Sequence, residues 1–348
     1  MHIFEASFKR NTYQVEIKAS LLFEYALGIA AITYPKLHET MDKPAVHWRQ
    51  LRDQASAELN RELDFCQKHQ TWKMLLQLLH AGDFDSAASF SDFVGALGDV
   101  DFNDIVLPFL GRGLSEVRRQ AAHGDEAAEQ ALIEACKEHA FFPDMIHAVG
   151  HYGASRLKGH LTNMFRLWEN EIGDRDAADS KTILERDLAE KTAWMRSSSP
   201  EEVVLRAAGV EYKPEEGVSR VILIPHIVYR PWTIEANMED TQIYYYPVSE
   251  SSMANDADPY DPPGRLVQLY KALGDDKRLR ALKLISEQKR SLKELTDLLG
   301  MGKTNAHHHL AILRSAGLVR VQDGCYVWNR GSLDDHAKDL RRFLGLQD

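Results

Sequence analysis

Lys303-Thr304-Asn305-Ala306-His307-His308-His309-Leu310, continuing through Ala311-Ile312-Leu313-Arg314-Ser315-Ala316-Gly317, is the stretch on which the fold turns. Ala306, Leu310 and Leu313 recur at i, i+4 and i+7, the buried stripe of a helix. Gly317 ends that helix as a C′ glycine. Upstream, Ser291 and Glu294 form a capping box. It opens a short helix expected to turn Leu292, Leu295, Leu298 and Leu299 inward, and Gly300-Met301-Gly302 is the turn between the two helices. Earlier still, Leu266, Leu269, Tyr270 and Leu273 mark one helix face, and Leu279, Leu282 and Ile285 mark another. Downstream, 318–322 and 325–329 flank Asp323-Gly324, a type I′ hairpin signal. Three helices, a tight turn and a hairpin make residues 265–330 a winged helix-turn-helix, followed by a helix over about 332–344.

With Ala306, Leu310 and Leu313 inward, Lys303, Thr304, Asn305, His307, His308 and Arg314 are expected to face out or flank a groove of duplex DNA. Asn pairs bidentately with adenine, Lys reaches guanine or phosphate, and Thr touches a thymine methyl. Lys289, Arg290 and Lys293 are placed to hold phosphates and fix register.

Charge distribution agrees. Residues 260–348 hold 16 Lys/Arg and 11 Asp/Glu, whereas residues 1–259 hold 26 and 41. A basic end on an acidic body suits a nucleic-acid reader attached to a domain that does not bind it.

The 348 residues suggest two or three domains. No apolar run reaches the length of a bilayer span, and the first residues lack the pattern of a secretory signal. Cys66, Cys136 and Cys325 are isolated, with no CxxC pair, which suggests neither a disulfide framework nor a zinc knuckle. A reducing cytoplasm is the expected compartment.

Upstream, 2–8 and 12–18 alternate as a hairpin would. Ser20 is a good N-cap for a helix over 21–32. Helical patterns follow at 48–68, 71–80, 90–97, 103–110, 126–139, 145–168 and 180–196. Ser197-Ser198-Ser199-Pro200 reads as a turn cluster. Val-, Ile-, Tyr- and Thr-rich segments at 218–229, 233–236 and 241–248 predict a small sheet. Residues 249–264 read as a polar, Pro-rich linker. The expected division is therefore 1–250, a linker over 251–264, the winged helix over 265–330 and a C-terminal helix over 331–348. The fold class is mainly α with small β elements, α+β overall.

The combination Leu273-Gly274-Asp275, Arg278-Leu279-Arg280-Ala281-Leu282, Leu292-Lys293-Glu294-Leu295, His308-His309-Leu310 and Leu313-Arg314-Ser315-Ala316-Gly317-Leu318-Val319 resembles the ArsR-type winged-helix regulators. The resemblance covers about 266–330 and implies a dimeric, operator-binding transcription factor. The chain departs from that pattern at Gly302, where the family usually has a Ser N-cap, at His307, and at the acidic wing tip Asp323. The Cys-x-Cys of the family's metal sensors is missing from 292–299, so thiolate metal sensing is not implied. More loosely, 12–32, His80-Ala81-Gly82-Asp83-Phe84 and Ile243-Tyr244-Tyr245-Tyr246-Pro247 are similar to the long N-terminal domain of some ArsR-type regulators.

Other constellations read more blandly. Successive helical residues point about 100° apart, so His307–His309 cannot all bind one ion. His147 and His151 share a face at i, i+4, but the zincin Glu does not follow His147. Asp334-Asp335-His336 reads as a solvated helical face, and Tyr244–Tyr246 as a strand core. Together these readings predict a sequence-specific DNA-binding regulator, a homodimeric repressor acting by operator occlusion under a small-molecule effector. No cofactor, metal, catalytic residue or membrane partner is expected. The alternative is an enzyme or interaction scaffold that carries the winged helix as a targeting module.

Overall fold

The computed structural model describes residues 13–213, 217–253, 260, 262, 264–322, 324–329 and 331–346. Backbone contacts divide the chain into two units: Met1–Lys36 with Ala45–Val248, and Leu37–Pro44 with Ser249–Asp348.

In the first unit, strand β1 (Gln14–Ile17) leads into α1 (Leu21–Ile32). The Ser20 side chain accepts from the Leu22 N–H at the helix start. Every residue of α1 from Leu22 onward is buried, because helices and sheet cover it all round. Around it lie α2 (Ala45–Gln54), α3 (Ala57–His69), α4 (Trp72–Leu79), α5 (Ala87–Ala96), α6 (Asp99–Val106), α7 (Ser115–Ala122), α8 (Glu126–Ala135), α9 (Phe142–Glu171), α10 (Ala177–Trp194) and α11 (Pro200–Ala208).

Three helical expectations change. The pattern at 48–68 is two helices, because Ser56 caps α3 by accepting from the Leu59 N–H at 3.0 Å. The turn cluster at 197–200 opens α11 instead. Ser199 and Glu202 form a capping box with Pro200 in the first turn, where a missing N–H costs nothing. In α9, Gly153 adopts φ +74°, ψ 160° and breaks the helix in two.

Strands β2 (Arg220–His226), β3 (Ile234–Asn237) and β4 (Thr241–Pro247) join β1 in the order β1-β2-β4-β3. β1 pairs parallel with β2, with Gln14 opposite Arg220. The expected hairpin partner of β1, residues 2–8, lies outside the described residues. β2 and β4 are also parallel, with Ile222 opposite Ile243, and β3 forms an antiparallel edge. Both faces of the central strands are covered, so Tyr244, Tyr245 and Tyr246 are all buried. Tyr244 and Tyr246 pack with Val203 and Val204 of α11. Tyr245 instead donates or accepts a 2.8 Å hydrogen bond with His80 Nε2. The Tyr246 hydroxyl donates to Asp187 at 2.8 Å, and Lys191 Nζ donates to the same carboxylate at 2.9 Å. This satisfies a buried cation and anion together.

The second unit contains α12 (Glu250–Met253), a single turn within the expected linker, then α13 (Gly264–Leu273) and α14 (Asp276–Glu287). The two-residue β5 (Arg290–Ser291) precedes α15 (Leu292–Leu299) and α16 (Lys303–Ser315). β6 (Val319–Gln322) and β7 (Cys325–Trp328) form the wing, and α17 (Gly331–Phe343) follows. The sheet order is β5-β7-β6, and Gln322 opposite Cys325 closes a two-residue hairpin. Gly324 has φ +71°, as a type I′ turn requires, while Asp323 lies outside the described residues.

Leu269, Ala281, Leu282, Ile285, Leu295, Leu299, Leu310, Leu313 and Leu318 make the core of this unit. Tyr270, Leu279 and Leu298, expected inward, are instead exposed. Tyr270 and Leu298 lie beside the buried Leu269 and Leu299, whereas Leu279 lies between Arg278 and Arg280. Ala272 and Ala281 are instead part of the buried cluster.

Candidate nucleic-acid interface

α16 is fixed to the unit along one face only. Ala306, Leu310 and Leu313 are fully buried, whereas Lys303, Asn305, His307 and Arg314 are exposed and His308 is half-buried. Thr304 lies on the first turn of the same helix; its side chain is outside the described set. Gly302 is the N-cap and offers no side-chain acceptor. The first-turn N–H groups of α16 therefore have no such cap, and a helix N-terminus with free N–H groups favours an anion.

The preceding helix and turn set the angle of α16. In α15, Ser291 N–H donates to Glu294 at 2.8 Å, and the Glu294 N–H donates to Ser291 Oγ at 3.3 Å. That backbone donation from Ser291 holds the Glu294 carboxyl below its ordinary value. Gly300 takes φ +62° at the C-cap, a left-handed conformation that turns the chain toward α16.

A second anchor lies at the start of α14. Asp275 caps that helix by accepting from the Arg278 N–H at 2.9 Å. Arg278 donates through Nε to the Ala272 carbonyl at 2.7 Å and through a terminal nitrogen to the Lys271 carbonyl at 2.8 Å, closing the end of α13. His309 of α16 brings Nδ1 to 3.7 Å from the same Asp275 carboxylate. The Arg278 N–H, with the Arg278 and His309 charges, holds Asp275 below the usual carboxylate range against some desolvation. His309 thus faces the fold, while His307 is exposed and His308 half-buried.

Arg290 and Lys293 differ from each other. Lys293 is exposed on α15. Arg290 is half-buried, and its Nε donates to the Leu284 carbonyl at 3.2 Å, so part of its guanidinium already has a structural task. Periodicity missed two further groups. Asn329 donates from its side chain to the Gly317 carbonyl at 3.0 Å, tying the base of the wing to the end of α16. Arg320 is exposed on β6. The Asn329 contact spans twelve residues and carries no local signal.

Elsewhere, His147 and His151 are exposed on α9 with their rings 5.5 Å apart, and His147 Nδ1 lies 3.9 Å from Glu129. Among the described residues no group of three or more His, Cys, Asp or Glu is gathered to hold a metal ion. Asp334, Asp335 and His336 lie on α17, and their side chains are outside the described set. No described helix is long and apolar enough to cross a membrane.

Residues 275–321 match the model of the bacterial regulatory protein arsR family, so this segment is an ArsR-type helix-turn-helix. The match runs from the Asp275 cap through α14, α15 and α16 into the first strand of the wing. Neither the curated proteins nor the solved structures yield a match to this chain.

Proposed function

We propose that this chain, a DNA-binding regulator by its ArsR-type segment, is a homodimeric transcriptional repressor acting by operator occlusion. The observation that carries the reading is α16 itself. One face is locked by Ala306, Leu310 and Leu313, and the other presents Lys303, Asn305, His307 and Arg314. In a winged helix the N-terminal part of this helix enters the major groove. Asn305 is assigned to a base edge, with Thr304, His307 and His308 beside it. Lys303, Lys293, Arg314 and the free part of Arg290 are assigned to phosphates or guanine.

A single winged helix reading one half-site binds weakly, so two copies must act together, their recognition helices about one helical turn apart. The first unit and α17 are assigned to dimer contact, and the first unit to sensing a small-molecule effector. An effector releases DNA only by favouring one dimer geometry over the other. No catalytic role is assigned to the chain, and its compartment is taken as the cytoplasm.

Selection of genomic duplexes by purified full-length protein, followed by footprinting, tests the proposal. A two-fold related site protected over two half-sites, with affinity falling steeply as salt rises, is the expected result. Enrichment of no duplex at low salt would overturn it, and so would a protein that stays monomeric on its DNA.

A further inference from the structure

Lys73 lies in the first turn of α4, a helix whose other buried residues are Trp72, Met74, Leu75, Leu76, Leu78 and Leu79. Its side chain is almost wholly removed from water, at 8% exposure. Among the described residues no carboxylate pairs with its ammonium, and no hydrogen bond from Nζ is formed. Burial alone accounts for its pKa, which falls to about 8. An ammonium taken from water without an anion or acceptor is strongly disfavoured. The other buried lysine, Lys191, shows the usual solution, with Asp187 and Glu190 both 2.9 Å away.

Lys73 has aromatic rings for company. Nζ sits 4.9 Å from the centre of the Trp72 ring and 5.8 Å from that of Phe142. Phe141 packs edge-on against Trp72 at 5.4 Å and against Tyr34 at 5.2 Å. His139 stacks on Phe142 with centroids 3.7 Å apart and planes 5° from parallel. Ring faces ease the burial of a cation but do not neutralise it. Tyr34, Phe141 and Phe142 are half-buried and His139 is exposed, whereas Lys73 is buried, so the cluster runs from the surface inward.

The same place is the start of α9. His139 Nδ1 accepts from the Phe141 and Phe142 N–H groups, each at 3.2 Å, which fixes the imidazole as an acceptor on that nitrogen. The positive end of the α9 segment that precedes the break at Gly153 adds to the field of Lys73. Asp144, in the first turn of α9, is exposed and makes no ion pair with Lys73.

We propose that Lys73, with Trp72, Phe141, Phe142 and Tyr34, forms a binding site for a small planar monocarboxylate of the aromatic-acid class. The single ammonium matches one negative charge, and the rings around it match a flat apolar body. A phosphate dianion would call for several fixed donors or a guanidinium fork, and neither is present among these residues. The inference does not rest on the DNA reading, since it concerns the first unit by itself.

Calorimetric titration and thermal melting of the full-length chain, without DNA, test it. The probes are benzoate, phenylacetate and indole-3-acetate, with benzamide as the uncharged match in shape and acetate as the charge without a ring. At least one aromatic acid is expected to bind saturably and raise Tm, with its amide and acetate roughly tenfold weaker or more, as loss of a charge-assisted contact or of the ring contact implies. Lys73→Met keeps the aliphatic stem and removes the charge. It is expected to melt at or above the wild-type temperature, because the buried ammonium has no internal partner, and to lose saturable binding of the acid. Any of three results overturns the proposal: no saturable binding of any of the three acids, binding that persists in Lys73→Met, or a Lys73→Met protein that melts well below wild type. The last would reveal an internal partner for the ammonium.

Discussion

Replacing Leu310 by Ala separates what holds the recognition helix from what it reads. Leu310 is fully buried in a cluster with Leu269, Ala281, Ile285, Leu295 and Leu313, contributed by α13, α14, α15 and α16. Walls built from four helices collapse poorly onto a void, so the loss belongs in the middle of the Leu→Ala range, about 3–4 kcal/mol. For a domain of this size each kcal/mol moves Tm by about 4–8 °C, giving a fall of about 12–32 °C for the transition of the second unit. Starting from about 6 kcal/mol, the domain would remain more than about nine-tenths folded at 25 °C. Operator affinity at that temperature should therefore change little. Scanning calorimetry of the full chain, with DNA titrations at 25 °C, measures both effects. A Tm shift below about 4 °C would show that α16 is not packed through Leu310. An affinity loss with Tm unchanged would place Leu310 on the DNA instead of in the core.

Asn305→Ala should behave in the opposite way, with Tm unchanged and a loss of about 1–3 kcal/mol on the preferred site but much less on random DNA. Equal losses on both DNAs would remove Asn305 from the base-reading set. Lys293→Ala should weaken both DNAs alike and reduce the salt slope by about one, as a phosphate contact does; a sequence-dependent loss would contradict that role. Gly28→Ala should destabilise the first unit by about 1–3 kcal/mol despite the better helix propensity of Ala, because a Cβ there would meet the buried Trp168 ring at 2.6 Å; an unchanged or raised Tm would show that α1 and α9 part easily. Burial pushes His80 and His226 down to about 3, with the Lys18 charge assisting at His80. An unfolded histidine takes up its proton near pH ~6.5, so between that pH and about 3 the unfolded chain binds protons that the native chain refuses. The first unit should therefore lose stability steadily as pH falls through that window, with a shallower slope in His80→Phe; stability that is flat from pH 7 to pH 4 would rule out burial of neutral imidazoles.

What the sequence determined by itself was local. The i, i+4, i+7 stripe of Ala306, Leu310 and Leu313, the Ser291–Glu294 capping box and the two-residue turn before Cys325 each depend on residues within a few positions of one another. Short-range hydrogen bonds and helical period therefore made the winged helix legible. The same logic was present at Ser199-Pro200-Glu201-Glu202, where a capping box was masked by the turn character of serine and proline. It erred at Tyr270, Leu279 and Leu298, which are apolar at near-helical spacing yet exposed, because periodicity does not fix which edge of an apolar stripe packs inward. Only the tertiary structure decided the rest. The parallel pairing of Gln14 with Arg220 joins segments two hundred residues apart, and no local pattern encodes it. Whether a titratable group is satisfied is likewise a property of its surroundings. Lys191 finds Asp187 and Glu190 within its own helix, whereas the surroundings of Lys73 include Phe142 of α9, far away in the chain. Desolvation and partnership are set by what packs around a charge in three dimensions, which is why the recognition helix could be read from the chain and the buried ammonium could not.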